Sequence, residues 1–192
     1  MTAPAEPDRY AEREFRYWLF LMSDAVLFAL LFATYAVLVD GTAGGPTGRD
    51  LFSLPRTFAA TMVLLLSSTT FGFAALASRA GDPARDRRLA GADRPARRRF
   101  LALTLGEFFG MLAAGAGPQR SGFLSAFFVL VGTHAVHVAA GLACLLVMLA
   151  QLRLKGLTAP VLSRLHRLGL FWHFLDIVRI GVFSVVYLLG LL

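Results

Sequence analysis

The sequence predicts an all-α protein, a bundle of helices that crosses a membrane several times, and three observations support this. Of the 192 residues, 57% are hydrophobic and only 16% are charged, whereas a soluble domain carries about a quarter charged residues. Apolar runs near twenty residues long recur along the chain, and such a run spans a bilayer core about 30 Å thick. All lysines and arginines except Arg179 lie outside these runs, in the N-terminal tail or in the segments between the runs.

Five apolar segments are predicted to span the membrane after a solvated tail at residues 1–16. They form one transmembrane domain over residues 17–192, with no second domain and no tandem repeat. The first run is too long for the core of a signal peptide, so it is interpreted as a retained span. The turn-rich loop at residues 41–48 cannot continue a helix. The predicted spans cover approximately residues 17–39, 57–77, 100–116, 123–150 and 169–192.

The third segment is the shortest, because residues 100–116 reach only about 25 Å at 1.5 Å per residue. It also contains Glu107 and several glycines. A re-entrant loop is the alternative to a full crossing. Crossing is favoured because a re-entrant segment would disrupt the alternation of charge between the two sides.

The distribution of lysine and arginine predicts the orientation of the chain. If successive loops alternate sides, fifteen of these residues lie with the N-terminus and three on the opposite side, and Arg179 lies within the last span. Because cytoplasmic segments carry the excess of positive charge, the N-terminus is predicted to be cytoplasmic and the C-terminus periplasmic. The net charge of +7 thus indicates topology rather than a nucleic-acid partner.

Several acids are placed inside apolar spans, where ionisable groups are costly and face protein or water rather than lipid. Asp24 and Asp176 are both predicted about 10–12 Å from the cytoplasmic end of their spans. Glu107 reaches a similar depth, and His173 lies slightly nearer the cytoplasm. A group of acids at one depth can hold or relay protons. The favoured interpretation is that these groups lock the packing of the helices through hydrogen bonds.

His134 and His137 lie three residues apart near the middle of the fourth span. Such a pair can bind a metal or haem, but a buried hydrogen-bonding pair is favoured because no cysteine or methionine lies close by. The single cysteine, Cys144, allows neither a disulfide nor a CxxC metal site. Small residues such as Gly141 suit close contact between helices. The residues themselves therefore indicate no catalytic centre, no metal site and no cofactor site.

Arg179 follows Asp176 by three residues on the last span. Side chains at this spacing lie on one helix face. An ion pair between them is predicted, because a lone arginine at this depth would be costly.

Several stretches resemble subunit III of the haem-copper oxidases, specifically the cytochrome bo-type ubiquinol oxidase branch. The similarity extends from about Trp18 to Leu192 and is specific, because unrelated loops and spans agree in order. The matching stretches are LMSD at 21–24, LFATYAVL at 31–38, GTAGGPTG at 41–48, GPQRSGFLSAFF at 117–128, GTHAVHV at 132–138 and FWHFLDIV at 171–178.

The resemblance implies a five-span, non-catalytic subunit in the bacterial inner membrane. Haem and copper are expected in the partner subunit I, which is the main contact, with subunits II and IV as further partners. The complex oxidises ubiquinol, reduces oxygen to water and pumps protons, and subunit III supports assembly, stability, lipid binding and proton uptake. Bound phospholipid is therefore expected. The family-like polar positions are Asp24, Glu107, His134, His137, His173 and Asp176.

Three departures from the family pattern stand out. The third span is about ten residues shorter, with the gap between Thr104 and Glu107. Position 60 is alanine where the family has glutamate, and position 179 is arginine where it has tryptophan. Two alternative interpretations stay open. One is a subunit III-like protein of a cytochrome c oxidase or nitric oxide reductase, and the other is a membrane redox protein that uses His134, His137 and His173.

Overall fold

A computed structural model describes residues 6–51, 55, 57–59, 61–63, 65–66, 102, 105–106, 109–113, 115–156 and 158–188. This part of the chain folds into helices, which confirms the predicted all-α class. The helices are α1 (Glu6–Leu38), α2 (Gly48–Leu51), α3 (Gly122–Lys155) and α4 (Ala159–Gly181), and α4 continues directly into a π-helical segment, Val182–Leu188.

Three stretches of helix in the described residues are long and apolar enough to cross a membrane. They are Glu12–Leu38, Gly122–Leu152 and Ser163–Leu188. These stretches correspond to the first, fourth and fifth predicted spans, so the prediction of a membrane protein is confirmed. The described residues include only short pieces of the predicted second and third spans, and the arginine-rich segment 79–99 lies outside them. The count of five spans and the orientation therefore stay predictions.

The helices extend beyond the apolar runs from which they were predicted. Helix α1 already begins at Glu6, within the predicted tail, and α4 begins at Ala159, ten residues before the predicted fifth span. Hydropathy marks only the apolar part of a helix, whereas Glu, Arg, Leu and Ala continue a helix readily into water. Gly156, with φ of 68°, ends α3, and a proline at the start of α4 fits the first turn of a helix.

Helices α1, α3 and α4 pack together around two clusters of buried side chains. Because the turn between α3 and α4 is short, these helices are antiparallel, and α1 lies beside both. One cluster lies towards the α3–α4 turn and is built around Leu21, Leu145 and Trp172. The other lies towards the opposite end and is built around Phe28, Phe127 and Tyr187. The polar residues of interest lie in the region where these clusters meet.

Two tyrosines on α1 fix its register against α4. The Tyr17 hydroxyl donates to the carbonyl of Arg167 at 2.7 Å, and the Tyr35 hydroxyl donates to the carbonyl of Val186 at 3.2 Å. At the far end, the backbone N–H of Phe123 donates to the carbonyl of Gly41 at 3.2 Å. Helix α1 is therefore held at both ends, and the side chains between the two tyrosines have a defined position.

Candidate functional site

Asp24 of α1 and His137 of α3 form a pair of ionisable side chains inside the bundle. The His137 Nε2 atom lies 3.6 Å from the Asp24 Oδ2 atom. Asp24 is only 8% exposed and His137 is largely covered. The sequence placed the acid and the histidine in spans far apart along the chain and did not predict this contact. The antiparallel packing of α1 and α3 brings them together.

The hydrogen bond made by the other ring nitrogen of His137, Nδ1, determines which nitrogen carries the proton. The His137 Nδ1 atom lies 2.8 Å from the carbonyl oxygen of Thr133. A carbonyl only accepts hydrogen bonds, so Nδ1 carries the proton. The Nε2 atom is then a lone-pair acceptor in the neutral ring and becomes a donor only when a second proton binds. An attractive contact with Asp24 therefore requires one further proton, carried either by the carboxyl group or by the imidazole.

The distance of 3.6 Å between Asp24 and His137 is longer than a direct hydrogen bond. A small shift of either side chain closes the gap, and a water molecule can also bridge two polar atoms at such a distance. The geometry therefore places the acid and the imidazole within exchange distance of one proton without locking them in a short bond.

Aromatic rings surround the Asp24–His137 pair and limit the access of water. The Phe28 ring lies edge-on to His137 at 5.2 Å between centroids and to His134 at 6.4 Å. The Phe171 ring stacks near His137 at 6.4 Å, and Phe174 meets Phe28 at 6.1 Å. His134 is itself fully buried one turn away on α3. Polar interactions are stronger in such an apolar surrounding than in water.

A second polar group lies on α4 and consists of His173 and Asp176. The His173 Nδ1 atom is 3.9 Å from the Asp176 Oδ2 atom, one turn along the helix. The two side chains differ sharply in accessibility, since His173 is 59% exposed and Asp176 only 11%. The sequence placed both near one depth, but it gave no indication that His173 points away from the bundle.

Arg179 is almost completely buried, with 3% of its surface exposed. Its Nε–H donates to the Thr61 hydroxyl at 3.0 Å, and its guanidinium group lies 5.8 Å from the centre of the Tyr187 ring. The Thr61 hydroxyl in turn donates to the carbonyl of Thr57 at 2.9 Å. The contact with Thr61 was not predicted, and the proposed ion pair with Asp176 stays a prediction.

Two further sequence-based hypotheses concern Glu107 and a metal site formed by the histidines. Glu107 lies outside the described residues. Within the described ranges, no group of three or more histidine, cysteine, aspartate or glutamate side chains is arranged to hold a metal ion. His134, His137 and His173 therefore do not form a common ligand set in that part of the chain.

A pocket of about 550 Å³ opens between α1, α3 and α4 near the α3–α4 turn. Phe20, Ala140 and Val147 contribute apolar walls, whereas Arg164 and Arg167 lie at its polar end. The Arg164 Nη1 atom donates to the Gln151 Oε1 atom at 2.8 Å, and Arg167 lies 3.8 Å from a Glu14 carboxylate oxygen. The pocket was not predicted, although the basic residues that follow an apolar run suggest an amphipathic site.

The sequence of this chain is similar to those of several oxidase subunits. No protein-family model matches the chain. Over 178 residues the chain is 51% identical to a Pseudomonas aeruginosa protein named cytochrome bo(3) ubiquinol oxidase subunit 3, covering 93% of this chain and 85% of that relative. It is 39% identical over 181 residues to quinol oxidase subunit 3 of Bacillus subtilis, covering 91% of this chain and 86% of that relative. It is also 40% identical over 195 residues to cytochrome c oxidase subunit 3 of Bacillus sp. strain PS3, covering 99% and 94% respectively.

Proposed function

Because this chain belongs to the subunit III family of the haem-copper oxidases, in the group named cytochrome bo(3) ubiquinol oxidase subunit 3, we propose that it is a non-catalytic subunit of a proton-pumping ubiquinol oxidase. The observation that carries this proposal is the 51% identity over 93% of the chain. Subunit I is proposed as the main contact and as the carrier of haem and copper, with subunits II and IV as further partners. The complex is proposed to lie in the bacterial inner membrane.

Within this role, we propose that the Asp24–His137 pair primarily fastens α1 to α3. The two residues come from helices separated by about a hundred residues of sequence, and a polar contact across that interface stabilises one arrangement of the helices. The Thr133 carbonyl holds the proton of His137 on Nδ1, so the contact between Nε2 and Asp24 becomes attractive when one further proton binds. Proton storage near the uptake path of subunit I is the second role that this geometry supports.

We also propose that the pocket between α1, α3 and α4 holds a phospholipid. Its walls are apolar, as an acyl chain requires, and Arg164 and Arg167 at the polar end suit a phosphate group. A lipid in this position fills a gap between the helices. It would thereby stabilise their packing.

A second candidate function is a subunit III of a cytochrome c oxidase, which differs only in the electron donor of the complex. The relative from Bacillus sp. strain PS3, which carries that name and matches 99% of this chain, favours it. The higher identity to the bo(3)-type relatives favours the ubiquinol oxidase. Turnover of the purified complex with ubiquinol and with reduced cytochrome c distinguishes the two.

The proposed function is tested by purifying the oxidase through a tag on subunit I, with and without this chain. We expect the haem spectrum per subunit I to persist without the chain. The stability of turnover and the number of protons pumped per electron are expected to fall, since a supporting subunit acts through its neighbour. Haem bound stoichiometrically to this chain alone, purified in mild detergent, would contradict the non-catalytic role.

The proposed orientation makes a prediction about accessibility. Single cysteines are introduced at Ala90 or Gly45 in a Cys144→Ala background, so that each variant has one thiol. A membrane-impermeant maleimide should label residue 90 only in inside-out vesicles and residue 45 only in intact spheroplasts, because charge asymmetry places these loops on opposite sides. Labelling with the reverse pattern would overturn the orientation, and labelling of both residues from one side would overturn the alternation.

A further inference from the structure

The pocket between α1, α3 and α4 ends one helical turn from the Asp24–His137 pair. On α1, the pocket-lining residue nearest the pair is Phe20, four residues before Asp24. On α3 it is Ala140, three residues after His137. Residues three or four apart lie on one helix face and are about 4.5–6 Å apart along the axis. The pocket and the pair are therefore neighbouring parts of one interface between α1 and α3.

An aromatic ring of α4 joins the pocket to the pair. Phe171 lines the pocket, and its ring stacks near His137 with 29° between the ring planes. The pair is not completely sealed, since 19% of the His137 side chain and 11% of the Asp24 side chain stay accessible. Phe20, at the near end of the pocket, is 47% exposed. Only the side chains of a single helical turn therefore separate the pair from the pocket.

The opposite side of the pair is closed by packed apolar side chains in the described part of the chain. Phe28 lies against His137 at 5.2 Å between centroids and is 2% exposed. It belongs to the same cluster as Phe127 and Tyr187, which are also buried. Close-packed cores contain few voids larger than a water molecule. Water therefore reaches the pair more easily from the pocket than through this cluster.

The link between α1 and α3 depends on a proton that has to reach the pair. The Nδ1 proton of His137 is directed at the Thr133 carbonyl, so Nε2 presents a lone pair to Asp24. The Asp24 Oδ2 atom is buried and has no hydrogen-bond donor within the described residues. Two acceptors facing each other become an attractive contact when one further proton binds. Access of water to this site therefore controls whether the two helices are fastened.

We infer that the pocket is the route by which water from the side of the α3–α4 turn reaches the Asp24–His137 pair, and that an acyl chain in the pocket closes this route. The pair gains or loses its proton when the pocket is empty and keeps its protonation state while the pocket is filled. The inference rests on the proposed phospholipid site. It adds a regulatory consequence, because occupancy of the pocket controls a polar link between two helices.

The inference is tested by histidine hydrogen exchange in the complete oxidase, stripped of phospholipid and held at constant pH. The hydrogen on the carbon between the two ring nitrogens exchanges slowly with heavy water, and mass spectrometry reads each histidine separately. The chain contains its own references, since His166 is exposed and His134 is fully buried. Cys144 lines the pocket and is exposed, so benzyl methanethiosulfonate places a removable aromatic group in the pocket of the folded complex.

Two variants serve as controls for the thiol reagent. Cys144→Ser, treated in the same way, reports any effect of thiols elsewhere in the oxidase. Cys144→Ser combined with Leu146→Cys carries the aromatic group outside the pocket at a similar depth, because Leu146 is 48% exposed and does not line the pocket.

We expect exchange at His137 to be faster than at His134 and slower than at His166. The adduct at Cys144 should slow exchange at His137 severalfold, and reduction of the mixed disulfide should restore it. The adduct at position 146 should leave the rate unchanged. Exchange at His137 as slow as at His134 without the adduct would overturn the inference. Equal rates with and without the Cys144 adduct would also overturn it.

A phospholipid provides the second arm of the test. Palmitoyl-oleoyl-phosphatidylglycerol, added back to the stripped oxidase, should slow exchange at His137 as the adduct does. If the adduct slows exchange but bound phospholipid does not, control by an acyl chain is overturned. If native mass spectrometry finds no phospholipid on the oxidase while the adduct still slows exchange, the proposed lipid site fails and the water route stands. Failure of this chain to co-purify with a haem-containing oxidase would instead overturn the proposed function.

Discussion

Replacing Gly141 with valine is expected to remove most of this chain from the membrane. A Cβ atom at position 141 would lie 2.8 Å from Trp172 Cζ2 and 3.0 Å from Phe171 Cε1. Both rings are buried, Trp172 at 1% exposure. Neither ring can move without displacing the cluster that joins α3 to α4. Overpacking a close-packed core costs about 1–3 kcal/mol, and the added methyl groups of valine place this variant at the upper end.

Two quantities are measured. The first is the amount of chain in the membrane fraction. The second is the temperature at which the detergent-solubilised chain loses the chromatographic peak of its folded form. Gly110→Val is the matched control, because it makes the same change in a helical residue whose new Cβ meets no heavy atom of the described residues within 4 Å, apart from its chain neighbours and its own helix backbone. Gly141→Ala should give an intermediate result. If Gly141→Val is as stable as Gly110→Val, the close packing of α3 on Trp172 is wrong.

The second large effect is expected at the Asp24–His137 contact. Asp24→Leu should lower the free energy of unfolding by about 2 kcal/mol, because it leaves the Nε2 atom of His137 without its polar partner in an apolar surrounding. Asp24→Leu combined with His137→Leu should recover much of this loss, since both polar groups are then removed. The measurement is a double-mutant cycle on the thermal stability of the complex. Additive effects of the two single substitutions would show that the residues are not coupled.

An asparagine at position 24 separates packing from proton handling. The amide of Asp24→Asn can donate to the lone pair on His137 Nε2, so the link between α1 and α3 is preserved, but it carries no exchangeable acid proton. We expect the asparagine variant to assemble normally and to pump protons at the unmodified ratio, in agreement with a packing role. A normally assembled variant with slow proton uptake would assign the pair to proton handling instead.

The site was only partly predictable, and the reason is geometric. The cost of ionisable groups in hydrocarbon singled out several residues in the sequence, and four of them are buried in the structure: Asp24, His134, Asp176 and Arg179. Hydropathy and helical periodicity report the depth and face of a residue on its own helix, but not which helix lies opposite. For this reason Asp24 was grouped with other acids at one depth, and its contact with His137 was not predicted. The contact of Arg179 with Thr61 also joins residues from separate spans.

The outward direction of the His173 side chain was likewise not predictable from the sequence. Its position within an apolar span predicted a polar group in the membrane but not the direction of the side chain. Only the packing of α4 against α1 and α3 decides that Trp172 and Asp176 face inwards and His173 outwards.

The sequence by itself determined that this is an all-α membrane protein and, through motifs spread along the chain, to which family it belongs. These properties follow from local composition and short motifs, which are read along one chain segment at a time. The tertiary structure decided the pairing of Asp24 with His137, the close approach at Gly141, the pocket beside Arg164 and Arg167, and the outward face of His173. Each of these depends on the register of helices that are distant in sequence, and local patterns do not fix that register.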